Sequence, residues 1–159
     1  MEPLEINKYP DKILRTRCLP VEKVTEEEKE LLDKMYFTMK HFCGIGLSDS
    51  QIGVSKKLIV AEVENMTIKL ANPEIVDAGG SDKMAEGCLS VPGVTVDIKR
   101  ATDVTVKGLN EKGETVEIIT KGLLARVLQH EIDHLKGRII VDYMNSLERL
   151  KFKLNNRRN

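Results

Sequence analysis

The segment His130-Glu131-Ile132-Asp133-His134 constrains this 159-residue chain more than any other feature. It lies in a run, about Gly122 to Lys136, where Leu124, Leu128 and Leu135 recur at helical spacing and Gly137 is placed to end a helix. Residues four apart on a helix lie about 40° apart around the axis and about 6 Å along it, so both imidazoles can face one ion. Glu131 projects beside them, where it can hold a water without being a ligand. This is the His-Glu-x-x-His arrangement of zinc hydrolases. The competing reading is a helix whose histidines are ordinary core or surface residues.

Such a site needs a third protein ligand and one open position. Cys88 fits best: in Glu86-Gly87-Cys88-Leu89-Ser90 a glycine lets the backbone approach and a thiolate completes a Cys/His/His set. His41 is the other candidate, but it ends an acidic helix and is expected to face solvent. Cys18 and Cys43 are expected to be small buried hydrophobes. Three cysteines with no Cys-x-x-Cys pair argue against a disulfide scaffold and for a reducing compartment.

Around this helix the pattern predicts an α+β fold with mixed or antiparallel sheets and further helices toward both ends. Residues 1–23 read as extended and irregular. Thr25 opens a helix with a capping-box Glu28, and Glu26-Glu27-Glu28 suits the positive end of its dipole. Leu31, Leu32, Met35, Met39 and Phe42 form its expected buried stripe, and Gly44 and Gly46 stop it. Strands are predicted at Leu58–Val63, Ile68–Ala71, Val94–Ile98, Asp103–Leu109 and Glu114–Thr120, with a hairpin turn at Asn110–Gly113. Arg138–Val141 reads as strand-like and Ser146–Asn156 as a third helix. With 25 basic against 25 acidic residues the formal charge is zero, which disfavours a nonspecific DNA binder. The longest apolar run, Leu58-Ile59-Val60-Ala61, is far short of the ~20 residues of a membrane helix. The start of the chain lacks the pattern of a signal peptide. One domain over residues 1–159, in the cytoplasm and with neither DNA nor membrane as partner, is the expectation.

Three motifs then carry a resemblance: Gly44-Ile45-Gly46-Leu47-Ser48-Asp49-Ser50-Gln51, Glu86-Gly87-Cys88-Leu89-Ser90 and Gln129-His130-Glu131-Ile132-Asp133-His134. The sequence resembles bacterial-type peptide deformylases, enzymes that remove the N-terminal formyl group from new polypeptides. The resemblance spans nearly the whole chain, including Tyr9-Pro10-Asp11, Leu14-Arg15 and Val141-Asp142. It implies formate release from N-formylmethionyl nascent peptides, with Fe²⁺ as the native metal and Ni²⁺, Co²⁺ or Zn²⁺ able to substitute. The Cys88/His130/His134 set by itself indicates only zinc or another borderline-soft transition metal. By the same resemblance Glu131 is general base and then general acid, while the Gln51 side-chain amide and the Leu89 backbone N–H donate to the oxyanion.

Supporting roles are expected for several neighbours. Glu86 and Arg100 would pair and steady the Cys88 segment. Gly44 and Gly46 would let the backbone approach the substrate; the alternative is a plain helix stop. Val127 is either a wall of the methionine slot or core. The aliphatic stem of Arg126 would line the slot's mouth while its charge stays in water. The family commonly has Ala-Ala at Ser48-Asp49 and Pro at Ser50. The Asp49 carboxylate could perturb Glu131, hinder the substrate or point to solvent; no ligand, base or oxyanion donor is lost, so activity is expected. A dinucleotide loop is disfavoured because Asp49 stands where its third glycine would be. The tail from Glu148 to Asn159 holds Arg149, Lys151, Lys153, Arg157 and Arg158 against one acid. This basic helix, about 146–159, would either dock on the ribosome or remain a solvated face. Two rival readings are a zincin-type metalloprotease, with His or Glu as third ligand, and a deformylase-like protein that binds metal or ribosome without catalysis.

Overall fold

The computed structural model describes residues 1–158; Asn159 and the side chains of Arg157 and Arg158, part of the expected basic tail, lie outside the described residues. In chain order the regular elements are α1 (Glu26–His41), β1 (Gly46–Ser48), β2 (Leu58–Val63), β3 (Met66–Gly79), β4 (Asp82–Cys88), β5 (Val91–Arg100), β6 (Asp103–Leu109), β7 (Thr115–Lys121), α2 (Gly122–Leu135) and α3 (Ser146–Arg158). Five strands form an antiparallel sheet in the order β1-β2-β3-β6-β7, and β4 and β5 pair as a separate antiparallel hairpin. The α+β class with antiparallel sheets around the His-Glu-x-x-His helix is as predicted.

The apolar run of β2 does not alternate because its part of the sheet is covered on both faces. Leu58 and Val60 pack with Leu32, Met35 and Met39 of α1. Ile59 and Ala61 pack with Leu124, Leu128, Ile132 and Leu135 of α2. At the start of α1 the Thr25 N–H and hydroxyl donate to Glu28 Oε1 at 2.9 and 2.6 Å, as the Thr-x-x-Glu spacing predicts. The other end differs from expectation. Phe42 is exposed rather than on the buried stripe, and Cys43, not a glycine, takes the left-handed turn at φ 59°. Cys43 is therefore exposed, contrary to its predicted burial, whereas Cys18 is buried as predicted.

Three further corrections concern strands. β3 continues past its predicted end at Ala71 and through Pro73, because a register shift between Ala71 and Glu74 takes the proline out of the ladder. β1 and β4 were absent from the prediction, since a three-residue segment and the polar run Asp82–Cys88 carry no alternating apolar signal. Arg138–Val141 is not a strand. It leads into a short 3-10 helix, Ile140–Tyr143, where Asp142 accepts the Ile139 N–H at 3.0 Å and pairs with Arg15 at 2.6 Å. Its β-branched residues are buried by packing on β5 rather than by strand pairing. Among the described residues no helix is long and apolar enough to cross a membrane.

Candidate metal centre

Two elements meet at the site. α2 turns one face to the sheet, which leaves His130 and His134 together on another, and Cys88 ends β4 at the tip of the β4–β5 hairpin. Cys88 Sγ lies 3.4 Å from His134 Nε2, which lies 3.2 Å from His130 Nε2, and the three ligand atoms are all within 4.8 Å of one another. Two ring nitrogens facing each other at that distance need a proton or a metal ion between them. Burial opposes charge on His130, but the Glu131, Cys88 and Glu86 side chains outweigh it and hold its pKa well above the usual value. Burial, and then the charge of His130, push His134 well below. The three ligand atoms thus converge where one divalent cation fits, and a thiolate with two imidazoles suits a borderline-soft transition metal. His41 is exposed and stacks edge-on against Phe42; among the described residues the ligating group comprises Cys88, His130 and His134.

Glu86 fixes the ring of His130. Its Oε1 accepts from His130 Nδ1 at 2.9 Å, and the carboxylate also takes Arg100 Nε and Nη2 at 2.6 and 2.9 Å. Burial works against the Glu86 charge, but His130 and Arg100 outweigh it and hold the carboxyl down to about 2. An anionic acceptor keeps the proton on Nδ1 and leaves Nε2 free to ligate. The predicted Glu86–Arg100 pair is therefore present. Arg126 departs from expectation: its guanidinium is buried, donating to Glu86 Oε2 at 2.6 Å, to the Ile98 carbonyl at 2.8 Å and to the Asp82 carbonyl at 2.8 Å. A charge that can be paired three ways under the hairpin does not remain in water. Asp133 and Tyr143 extend the network, with Asp133 Oδ2 accepting from Arg100 Nη1 at 2.9 Å and from Tyr143 Oη at 2.5 Å. Neither was singled out from the sequence.

A cavity of about 550 Å³ opens beside these groups. Gly44, Gly46, Gln51, Glu86, Cys88, Leu89, Arg126, Val127, His130 and Glu131 all line it. Glu131 is buried, its Oε1 has no hydrogen-bond partner, and burial pushes its pKa up to about 7. Gly46 is required there, because a Cβ would overlap the Glu131 carboxylate and lie 2.8 Å from Val127 Cγ1. At Gly44 a Cβ would lie 2.8 Å from Leu89 Cδ1, so the Leu89 side chain would have to shift. Gly44 also takes part in the helix stop, its N–H donating to the Met39 carbonyl of α1 at 2.9 Å, whereas Gly46 lies in β1 beyond it. Gln51 is held by Ser48, whose N–H donates to Gln51 Oε1 at 2.9 Å, which aims Nε2 at Ser90 Oγ (3.0 Å) and Cys88 Sγ (3.6 Å). The Ser-x-x-Gln spacing is itself a capping signal that could have located this 3-10 turn, Asp49–Ile52.

Asp49 does none of the three things considered for it: it neither faces Glu131 in the cavity, nor meets the substrate's path, nor points to solvent. It is fully buried and lines no part of the cavity, with Cys18 Sγ 3.7 Å from its Oδ1 and no partner for Oδ2. Burial pushes its pKa up to about 8, against the pull of the Cys18 thiol and the Leu58 and Lys56 amides. The folded state therefore holds this proton where the unfolded chain has lost it. Stability contributed at this position falls as pH rises from about 4 to about 8, by at most about 1.4 kcal/mol per unit. Asp49→Ala should accordingly gain melting temperature relative to the parent as pH is raised from 5 to 9. A melting difference that does not change with pH would show that Asp49 does not titrate in the fold.

The same architecture recurs in known proteins. The family described as polypeptide deformylase matches residues 3–150. A peptide deformylase of Halothermothrix orenii is 47% identical over 144 residues, covering 89% of this chain and 94% of that protein. The crystal structure of a peptide deformylase from Legionella pneumophila superposes with a TM-score of 0.90 at 40% identity, covering 99% of both chains. That of the Ehrlichia chaffeensis peptide deformylase in complex with actinonin gives 0.92 at 36% identity, covering 99% of this chain and 98% of that one. Matches of this extent in both sequence and fold, over a chain that brings Cys88, His130 and His134 to one point, establish that it belongs to the peptide deformylase family.

Proposed function

We propose that residues 1–159 form one catalytic domain acting in the cytoplasm, which hydrolyses N-formylmethionyl nascent peptides to formate and a free N-terminal amine. The observation that supports this most directly is the convergence of Cys88, His130 and His134 beside a cavity whose wall also holds the Glu131 carboxyl with its unpartnered Oε1. Those three residues would hold Fe²⁺, with Ni²⁺, Co²⁺ or Zn²⁺ as substitutes. Bound there, the cation would lower the pKa of water toward neutrality and polarise the formyl carbonyl. Glu131 accepts the proton of the attacking water as the oxygen–carbon bond forms. It then delivers that proton to the amine as the carbon–nitrogen bond breaks. Gln51 Nε2 and the Leu89 N–H donate to the formyl oxygen as it becomes negative, an interaction whose loss typically costs ~10²–10³ in rate.

Val127 lines the cavity one turn before Glu131 and would wall the methionine side chain. β1 is an edge of the five-stranded sheet, so its backbone beside Gly46 is available for the peptide to add as a further strand. The decisive assay is formate release from formyl-Met-Ala-Ser by anaerobically prepared, Fe²⁺-loaded protein, with Glu131→Ala as control. Release no higher than the control would favour a non-catalytic relative.

Docking on the ribosome through the basic α3 is the second part of the proposal. α3 is capped by Asn145, whose Oδ1 accepts the Glu148 N–H at 2.8 Å, and it exposes Leu147, Leu150 and Leu154 beside its basic residues. Deleting residues 148–159 should weaken co-pelleting with ribosomes and spare hydrolysis of the tripeptide; unchanged pelleting would end the idea.

A further inference from the structure

The apolar core does not join the two elements that carry the candidate ligands. The α2 residues Leu124, Leu128, Ile132 and Leu135 pack into the cluster built on β2, β3 and β6. Val91, Val96 and Ile98 of the hairpin, with Cys88 against them, belong to a different cluster, shared with Leu14, Ile139 and Ile140. The described contacts that cross from α2 to the hairpin at the site are polar: His130 to Glu86, His134 to Cys88, Arg100 to Asp133, the two bonds between Gln129 and the Ala101 backbone just past β5, and the three bonds of Arg126. Gln129 holds the backbone only where the chain leaves β5, whereas Arg126 grips both strands of the hairpin. One guanidinium reaches the Asp82 carbonyl of β4 and the Ile98 carbonyl of β5, as well as the carboxylate of Glu86. It stands one helical turn before His130, and Glu86 stands two residues before Cys88.

We propose that Arg126 is a positioning residue that sets the gap between Cys88 on the hairpin and His130 and His134 on α2, and so decides whether thiolate and imidazoles can share one ion. A backbone-directed clamp holds the strands themselves, whereas an ion pair holds only a side chain. Polar bonds carry this register, those of Arg126 on both strands at once, because an apolar seam joining the two elements is absent among the described contacts. The proposal rests on the ligand set assigned above, and its test separates the two.

The probe is Co²⁺ added anaerobically to the metal-free parent, Arg126→Lys, Arg126→Met and Cys88→Ala proteins. The thiolate-to-cobalt absorption, the Co²⁺ affinity against a chelator, and kcat and KM for formyl-Met-Ala-Ser are read on each. Both Arg126 variants should bind Co²⁺ about 10–100-fold more weakly, the range seen when groups supporting a ligand are lost. Their thiolate band should be weaker or displaced and kcat lower, with KM for the peptide little changed. Arg126→Lys keeps a cation on Glu86 and decides the matter even if Arg126→Met does not fold. Parent-like affinity and absorption in Arg126→Lys would overturn the proposal, as would a raised KM with the cobalt spectrum intact, which would make Arg126 a substrate contact. A parent spectrum that Cys88→Ala leaves unaltered would overturn the ligand set instead.

Discussion

Glu131→Ala should lower the rate of formate release by about 10²–10⁴-fold, the span typical of general acid–base groups, while the protein still binds its metal. The size of the effect follows from the setting of the carboxyl. It is 3% exposed, has an oxygen without a partner, and lies across from the backbone of Gly46 on the cavity wall. Burial brings its pKa to about 7, close to the value at which one group can both take and return a proton at neutral pH. Because the carboxyl makes no hydrogen bond through Oε1, its removal should not cost fold stability. The measurement is kcat at full metal content with a melting curve alongside. A loss under tenfold with metal retained would remove Glu131 from the proton path.

Cys88→Ala should weaken metal binding by about two orders of magnitude or more and abolish activity. Structural zinc sites with four protein ligands reach ~10–16 kcal/mol, so the share of one thiolate among three ligands is several kcal/mol. Cys88 Sγ has His134 Nε2 at 3.4 Å, and His41 is exposed at the end of α1, outside the ligating group. The loss should show as metal content after gel filtration and as a missing thiolate-to-cobalt band. Metal retained at parent strength would mean a third ligand other than cysteine, as a zincin-type site requires.

Much of this site was legible because its chemistry is local in sequence. The i, i+4 spacing of His130 and His134 places both on one helix face whatever the helix packs against, and Thr25 with Glu28 marks a helix start for the same reason. Cys88 came from its glycine-flanked context and from the family resemblance. What escaped was set by tertiary packing. Arg126 reads as an amphipathic surface residue until the carbonyls of Asp82 and Ile98 are brought over it. Asp49 reads as a hazard to catalysis until the fold encloses it with Cys18. The Ile139–Val141 run has strand composition, yet the Asp142 cap on Ile139 and the apolar surface of β5 make it a turn. Phe42 has the right spacing for the α1 stripe but falls on the residue where the helix has already ended.

Gly46 has a bearing on how this cavity could be reshaped. The wall formed by β1 is bare backbone, and the nearest atoms to any added methyl group belong to the Glu131 carboxylate and to Val127. The carboxylate cannot give way without leaving its station, so position 46 tolerates no enlargement at all. Val127 sits at the opposite limit, since trimming it frees volume and displaces no charged group. Redesign for a bulkier or smaller first residue of the peptide therefore has one adjustable wall and one fixed one, and the fixed one is the wall that has no side chain.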